Sequence, residues 1–261
     1  MQPIARFSVE RAKQIDGLLF DLDDTLLTHG LLTRAAFGAL WDMHDAKLRL
    51  VAVTGRPSGW GEVIARQWPI DGAVTENGAV HVRREGRGIR LIQRCDEGER
   101  QARRIKLGRI IADAKVAIPE ARLADDIGAR VSDVTWDIGE RVKLPVDRVD
   151  AIDRLARAAG ARTTRSSVHL HASFDQDDKA SGSVRFLADA FQVDPGVALA
   201  RYAFVGDSSN DSACFSAFHS TFGVANIRAY AARLPVTPRF VTSEEMGAGF
   251  VEVARALLGG R

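Results

Sequence analysis

Cysteine is nearly absent: Cys95 and Cys214 are the only two in 261 residues. They stand far apart, with no partner at metal-ligand spacing, so buried free thiols are expected rather than a structural metal. Long apolar runs are missing too. None approaches the ~20 residues a membrane-spanning helix requires. Met1 to Gly17 mixes Arg, Lys and Glu with isolated apolar residues, unlike a signal peptide. A cytoplasmic protein without a membrane partner is the expectation. The formal net charge of +2 gives no basis for a nucleic-acid surface. Lysine is scarce: of 36 basic residues only Lys13, Lys47, Lys106, Lys115, Lys143 and Lys179 are lysines. Each therefore stands out. Internal repeats, low-complexity stretches and linkers are also missing.

What is present suits a core-forming chain, with 46% apolar and 27% charged residues. Several short apolar runs end abruptly in polar residues or glycine. Ile15 to Phe20 meets Asp21, Leu48 to Val53 meets Thr54-Gly55-Arg56-Pro57, and Gly72 to Val74 meets Thr75-Glu76-Asn77-Gly78. Tyr202 to Val205 meets Gly206-Asp207, and Thr221 to Val224 meets Ala225-Asn226. Such runs predict strands buried on both faces of a parallel sheet. Helical patterns lie between them, over Thr33 to His44 and Trp60 to Trp68, and on a face formed by Val184, Leu187, Ala188 and Phe191. The alternation predicts an α/β fold, a doubly wound parallel sheet of Rossmann type.

Residues 83–166 break the rhythm and predict a smaller α+β cap domain, inserted into a core of residues 1–82 and 167–261. Ala79 to Val82 and Ile89 to Ile92 flank a hairpin turn. A helix is expected over Glu99 to Asp113, then a polar strand around Arg130 to Trp136. A second helix is expected over Arg148 to Ala159, with Asp147 as N-cap and Gly160 as stop. Arg162 to Ala172 alternates as one half-exposed strand.

The candidate functional residues share a location, the crevice beyond the carboxyl ends of the strands, where open α/β sheets bind ligands. Asp21, Thr54, Asn77, Asp207 and Asp211 converge there. In an extended segment Asp21 and Asp23 face the same way. Their mutual repulsion, with Asp207 and Asp211 nearby, calls for a proton or a cation, and hard oxygen ligands suit Mg2+. A lone Asp-x-Asp would more often cap a helix or form a turn. Thr54, Gly55 and Arg56 form a candidate phosphate cradle at a helix start, though Thr-Gly is also a common turn. Lys179 follows Asp175-Gln176-Asp177-Asp178 and opens a helix, where a cation opposes the macrodipole. That position suggests an anion to hold; a surface lysine beside aspartates is the alternative.

Asp-Leu-Asp-Asp-Thr (21–25), Thr54, Lys179 and Gly-Asp-Ser-Ser-Asn-Asp (206–211), in this order, resemble the four motifs of the haloacid dehalogenase-like (HAD) superfamily. Thr-Glu-Asn-Gly-Ala (75–79), the insertion between the second and third motifs, and Pro238 to Thr242 resemble the branch with a large cap there. That branch holds Cof-type, sucrose-phosphate, trehalose-phosphate and mannosyl-3-phosphoglycerate phosphatases.

The resemblance implies a Mg2+-dependent phosphatase acting on a small-molecule phosphate ester, a sugar phosphate. Asp21 would be the nucleophile and Asp23 the general acid and base. The Asp21 side chain, the Asp23 carbonyl and Asp207 would hold Mg2+, with Asp211 as a ligand or a support behind it. Thr54 and Lys179 would bind the phosphoryl oxygens, with Asn210 near the substrate. Asp177 and Asp178 depart from the branch, where the lysine often follows a small or neutral residue; this puts the orientation of Lys179 in question. The acid at Asp23 argues against a dehalogenase. Only about thirty residues separate Asp21 from Thr54, which leaves no room for a cap there. A non-catalytic sugar-phosphate-binding module is the rival from another class. For the leaving group, His169 and His171 and the arginines at 83, 84, 87, 90, 94, 100, 103 and 104 are candidates; strand filler and a solvated face are the alternatives.

Overall fold

The chain is described by a computed structural model over residues 1–166 and 168–259. In chain order it begins β1 (Gln2–Pro3), α1 (Val9–Lys13), β2 (Gly17–Phe20), α2 (Arg34–Asp45), β3 (Arg49–Val53), α3 (Ser58–Gln67) and β4 (Gly72–Thr75). The hairpin β5 (Val80–Glu85) and β6 (Gly88–Gln93) follows, then α4 (Glu97–Ala117), β7 (Arg122–Leu123), β8 (Asp133–Asp137), α5 (Val146–Ala158), β9 (Arg162–Arg165) and β10 (His169–Ser173). The chain closes with α6 (Lys179–Phe191), α7 (Pro195–Arg201), β11 (Tyr202–Gly206), α8 (Ser212–Ala217), β12 (Ser220–Gly223), β13 (Phe240–Val241) and α9 (Met246–Leu258).

Strands β2, β4, β11 and β12 are buried along their whole length, as runs without polar alternation require when both sheet faces are covered. They belong to a nine-stranded sheet of order β1-β13-β12-β11-β2-β3-β4-β5-β6. Pairing is parallel from β1 through β4 and antiparallel in the final hairpin. Successive residues serve opposite faces. Leu18 and Phe20 join a core with Leu40, Met43, Phe250 and Leu257, whereas Leu19 joins Phe186, Leu187, Cys214 and Phe215. The order reverses direction between β2 and β11, so their carboxyl ends flank the crevice such a switch point opens.

The second sheet, β7-β8-β10-β9, is antiparallel. Its own core joins Leu107, Ile110 and Ala114 of α4 and Val149, Ile152 and Ala156 of α5 to Trp136 and Leu170. These contacts shift the boundaries expected at 83 and 166. Hairpin β5–β6 extends the large sheet, because Val80 and Val82 pack into its core. Residues 169–173 belong to the small sheet, because β10 pairs with β8.

Local differences have local causes. The stretch expected as one strand over 162–172 is two, folded back so that Leu170 opposes Arg165; Ser167 lies outside the described residues. Helix α5 starts earlier than expected, with Pro145 rather than Asp147 at its N-cap. Helix α4 also starts early, because the Asp96 carboxylate accepts the Glu99 N–H at 2.8 Å. Among the described residues no helix is long and apolar enough to cross a membrane.

Candidate active site

Asp21 closes β2, buried at the sheet's switch point. After it the backbone makes one wide turn over Leu22–Leu26, closed by the Leu27 N–H donating to the Leu22 carbonyl at 2.8 Å. Asp24 takes a left-handed φ of 53° there, a conformation aspartate tolerates better than most residues. The turn brings the Thr25 hydroxyl to within 3.4 Å of Asp207 Oδ1.

Lys179 opens α6 and is 1% exposed. Its Nζ donates to Asp21 Oδ1 at 2.8 Å and to Asp211 Oδ1 at 2.7 Å. The acidic residues before it do not divert it. Asp178 is the N-cap and accepts the Ser181 N–H at 2.8 Å, while Asp177 pairs with Arg185 at 2.8 Å. Close packing seats the helix: a Cβ on Gly182 would lie 2.5 Å from the Gly78 carbonyl oxygen.

Asp211 has both oxygens engaged. Besides Lys179, its Oδ2 accepts the N–H groups of Asp207 at 3.0 Å and Ser208 at 3.1 Å. Asp207 is held by Asn226, whose Nδ2 donates to Asp207 Oδ2 at 3.1 Å and to the Asp24 carbonyl at 3.0 Å. Asn226 was visible in the sequence only as a polar residue after an apolar run. Of these partners Asp24 lies some two hundred residues away and Asp207 nineteen.

Gly55 lines the cleft, whereas Thr54 is fully buried, its Oγ1 accepting the Arg56 N–H at 3.0 Å. The Arg56 side chain is not directed at an open anion site. Its Nη2 donates to Asp23 Oδ1 at 2.6 Å and its Nε to Asp23 Oδ2 at 3.0 Å, while the guanidinium stacks 4.3 Å from the Trp60 ring centroid. Asn77 lies behind Gly55, and its buried Oδ1 has no hydrogen-bond partner among the described residues. Asn210 lines the cleft and accepts the Ser208 hydroxyl at 2.6 Å.

Three buried carboxylates, Asp21, Asp207 and Asp211, each bring an oxygen within 4.8 Å of the others. Burial, with Asp211 and Asp23 nearby, pushes Asp21 up to about 7 despite the opposing Lys179. Burial and the charges of Asp21 and Asp211 push Asp207 up to about 9. Burial opposes the charge on Lys179, but Asp21 and Asp211 outweigh it and raise its pKa. One lysine cannot neutralise three carboxylates, and this hard oxygen set fits a divalent cation such as Mg2+.

The crevice opens into a cleft of about 700 Å³ between the two sheets. Its cap side includes His169, His171, Asp125, Asp126, Arg130 and Glu140; none of the arginines at 83–104 lines it. They are used elsewhere, as when Arg84 donates to the Ala65 carbonyl and Arg103 pairs with Asp175. Two buried groups that sequence reasoning missed join the domains. The Glu76 carboxylate accepts the N–H groups of Ser58 from the core and of Val131, Ser132 and Asp133 from the cap, at 2.7–3.2 Å. Arg130 reaches back from the cap to the Gly55 carbonyl at 3.0 Å.

No family model matches the sequence, and no curated protein does. Solved structures do share the fold. A Thermoplasma acidophilum protein aligns at 18% identity over 94% of this chain and 98% of its own, with a TM-score of 0.72. The sucrose-phosphatase of Synechocystis sp. PCC6803, solved with sucrose and phosphate, aligns at 15% identity over 93% and 98%, with a TM-score of 0.65. The C-terminal domain of the C. albicans trehalose-6-phosphate phosphatase aligns at 12% identity over 99% and 98%, with a TM-score of 0.70. The chain has the α/β fold of the HAD-superfamily phosphatases.

Proposed function

We propose that this protein is a Mg2+-dependent phosphatase that hydrolyses a small phosphorylated metabolite, a sugar phosphate, with Asp21 taking the phosphoryl group as an aspartyl phosphate. The observation that carries this reading is the setting of Asp21. One oxygen is fixed by Lys179 at 2.8 Å, while the other makes no hydrogen bond among the described residues, and the side chain lines the cleft. A nucleophile needs that asymmetry, one oxygen held for aim and the other left to attack.

The Asp21 oxygen attacks phosphorus as the bond to the leaving oxygen breaks, and Asp23 gives that oxygen its proton. A water then attacks the aspartyl phosphate, passing its proton to Asp23 and restoring the Asp21 carboxylate with release of phosphate. Arg56 has to release Asp23 before Asp23 can carry the proton, and the phosphoryl group offers the guanidinium another anion. In this reading Thr54 and Lys179 bind the same group. Asp21 and Asp207 would hold Mg2+, which supplies the charge neutralisation that lets an anionic nucleophile meet an anionic phosphate. Asp211, with both oxygens occupied, serves from behind by fixing Lys179 and the 207–208 backbone.

Hydrolysis of a small aryl phosphate by purified protein, with Mg2+ and then with excess chelator, tests the reading. Turnover should require the metal and return on its readdition. Full activity in chelator would refute the metal requirement. No hydrolysis of any ester by folded, Mg2+-loaded protein would favour the binding-module reading.

A further inference from the structure

We propose that Arg130, on the cap, is a positioning residue for the phosphoryl end of the site. It holds the Gly55 carbonyl in the domain junction, so that the loop after β3 meets an anion with N–H donors. This rests on the phosphatase reading above and deepens it.

Three successive carbonyls of that loop are tied down. The Thr54 oxygen accepts the Asn77 N–H at 3.1 Å, and the Arg56 oxygen accepts the Glu76 N–H at 3.0 Å, both from the loop after β4. The Gly55 oxygen between them has no backbone donor among the described residues; Arg130 Nη1 donates to it at 3.0 Å. Gly55 lines the cleft, and its own N–H makes no hydrogen bond among the described residues. That N–H is the loop's free donor for an anion. Without a Cβ, glycine lets the adjoining peptides rotate at little steric cost. A Gly55 carbonyl left unheld could turn to the cleft and set its partial negative charge against the phosphoryl oxygens. The same peptide carries the Arg56 N–H, which donates to Thr54 Oγ1 at 3.0 Å. Because a peptide is planar, fixing its carbonyl also fixes the aim of that N–H.

The grip is stiff. Arg130 Nε and Nη2 donate to the two oxygens of Asp126 at 2.8 and 2.9 Å, and Nη1 also reaches Asp133 at 3.1 Å. A bidentate pair sets the plane of the guanidinium, so the bond to Gly55 arrives with a fixed direction. The side chain is 1% exposed, which keeps water from competing. The backbone beneath is held too. The Arg130 carbonyl accepts Arg104 Nη1 at 3.0 Å, and Val131, Ser132 and Asp133 give their N–H groups to Glu76. A cap that drifts from the core therefore releases Gly55. The cap serves the step common to every substrate as well as the choice of leaving group.

Inorganic phosphate tests this, because it carries no leaving group to meet the cap. Its affinity for Mg2+-loaded protein is measured by calorimetry, with folding checked by circular dichroism. Arg130→Gln alone would strand the buried Asp133 carboxylate, so it is combined with Asp133→Asn and compared with Asp133→Asn alone. The double variant should bind phosphate about tenfold more weakly than the single one. Its kcat for a small aryl phosphate should fall about 10–100-fold. Ile152→Ala, which loosens the cap core but keeps Arg130, should leave phosphate affinity unchanged. Equal phosphate affinity in the two Asp133 variants overturns the proposal. So does an equal loss in Ile152→Ala, which would make general loosening of the cap the cause. If the double variant matches the single one while the unmodified protein hydrolyses the aryl ester, the proposal falls and the phosphatase reading stands. Absence of hydrolysis by the unmodified protein would remove both.

Discussion

Asp207 is held by two residues, Thr25 and Asn226, that approach from opposite ends of the chain. The amide of Asn226 also accepts the Met246 N–H at 3.0 Å, tying the start of α9 to the site. Groups that orient a metal ligand matter nearly as much as the ligand, so Asn226→Ala should weaken Mg2+ binding about 10–100-fold. Titration calorimetry on folded protein checks this; unchanged affinity would show that Asn226 only packs. At this scale legibility followed chemistry. Asp21, Asp207 and Lys179 were visible because carboxylates at strand ends, and a buried-type lysine in an arginine-rich chain, are conspicuous. Arg56 was visible as part of a candidate phosphate cradle, but nothing local says that its guanidinium turns to Asp23. Asn226 and Glu76 draw their meaning from partners distant in sequence, which no local pattern encodes.

The loop after β4 is where one element positions two domains. Glu76, Asn77 and Gly78 all have left-handed φ values, of 50°, 55° and 111°. Each such non-glycine residue costs on the order of 1 kcal/mol, which the surrounding contacts must offset. The Glu76 carboxylate supplies them, through bonds to Ser58 on one side and Val131 to Asp133 on the other. Glu76→Ala strips those buried N–H groups of their acceptor and should destabilise the protein by about 3 kcal/mol. Urea unfolding measures this, and a loss below about 1 kcal/mol would mean that water replaces the carboxylate. Strands β2, β3, β4, β11 and β12 of the large sheet were legible because doubly buried runs are unmistakable, whereas β1 and β13, two residues each, were not. The cap boundaries were not, because hairpin β5–β6 and strand β10 are assigned by which sheet edge they meet. Helices α7 and α9 also went unanticipated.

The whole molecule carries a charge imbalance at its switch point, and stability should report it. In chelator, Asp21 and Asp207 keep protons in the fold, with values of about 7 and about 9, that the unfolded chain releases near 3.8. A carboxylate raised in this way favours the fold at low pH and loses that contribution as pH climbs from about 4 through the folded value. Lys179 adds nothing in this window, since its ordinary value of 10.5 already lies above it. Chelated protein should therefore lose thermal stability between pH 5 and pH 8 relative to Mg2+-loaded protein, with the gap widening as pH rises. A gap independent of pH would show that the cation does not sit among these carboxylates.

The central claim is that Asp21 itself takes the phosphoryl group. The direct measurement is turnover of a small aryl phosphate by Asp21→Asn protein, with Mg2+ present and folding verified by circular dichroism. The account predicts a fall of at least about 10³-fold, because the amide removes the attacking charge while keeping the shape of the site. Folded Asp21→Asn protein that hydrolyses the ester at the unmodified rate would contradict it.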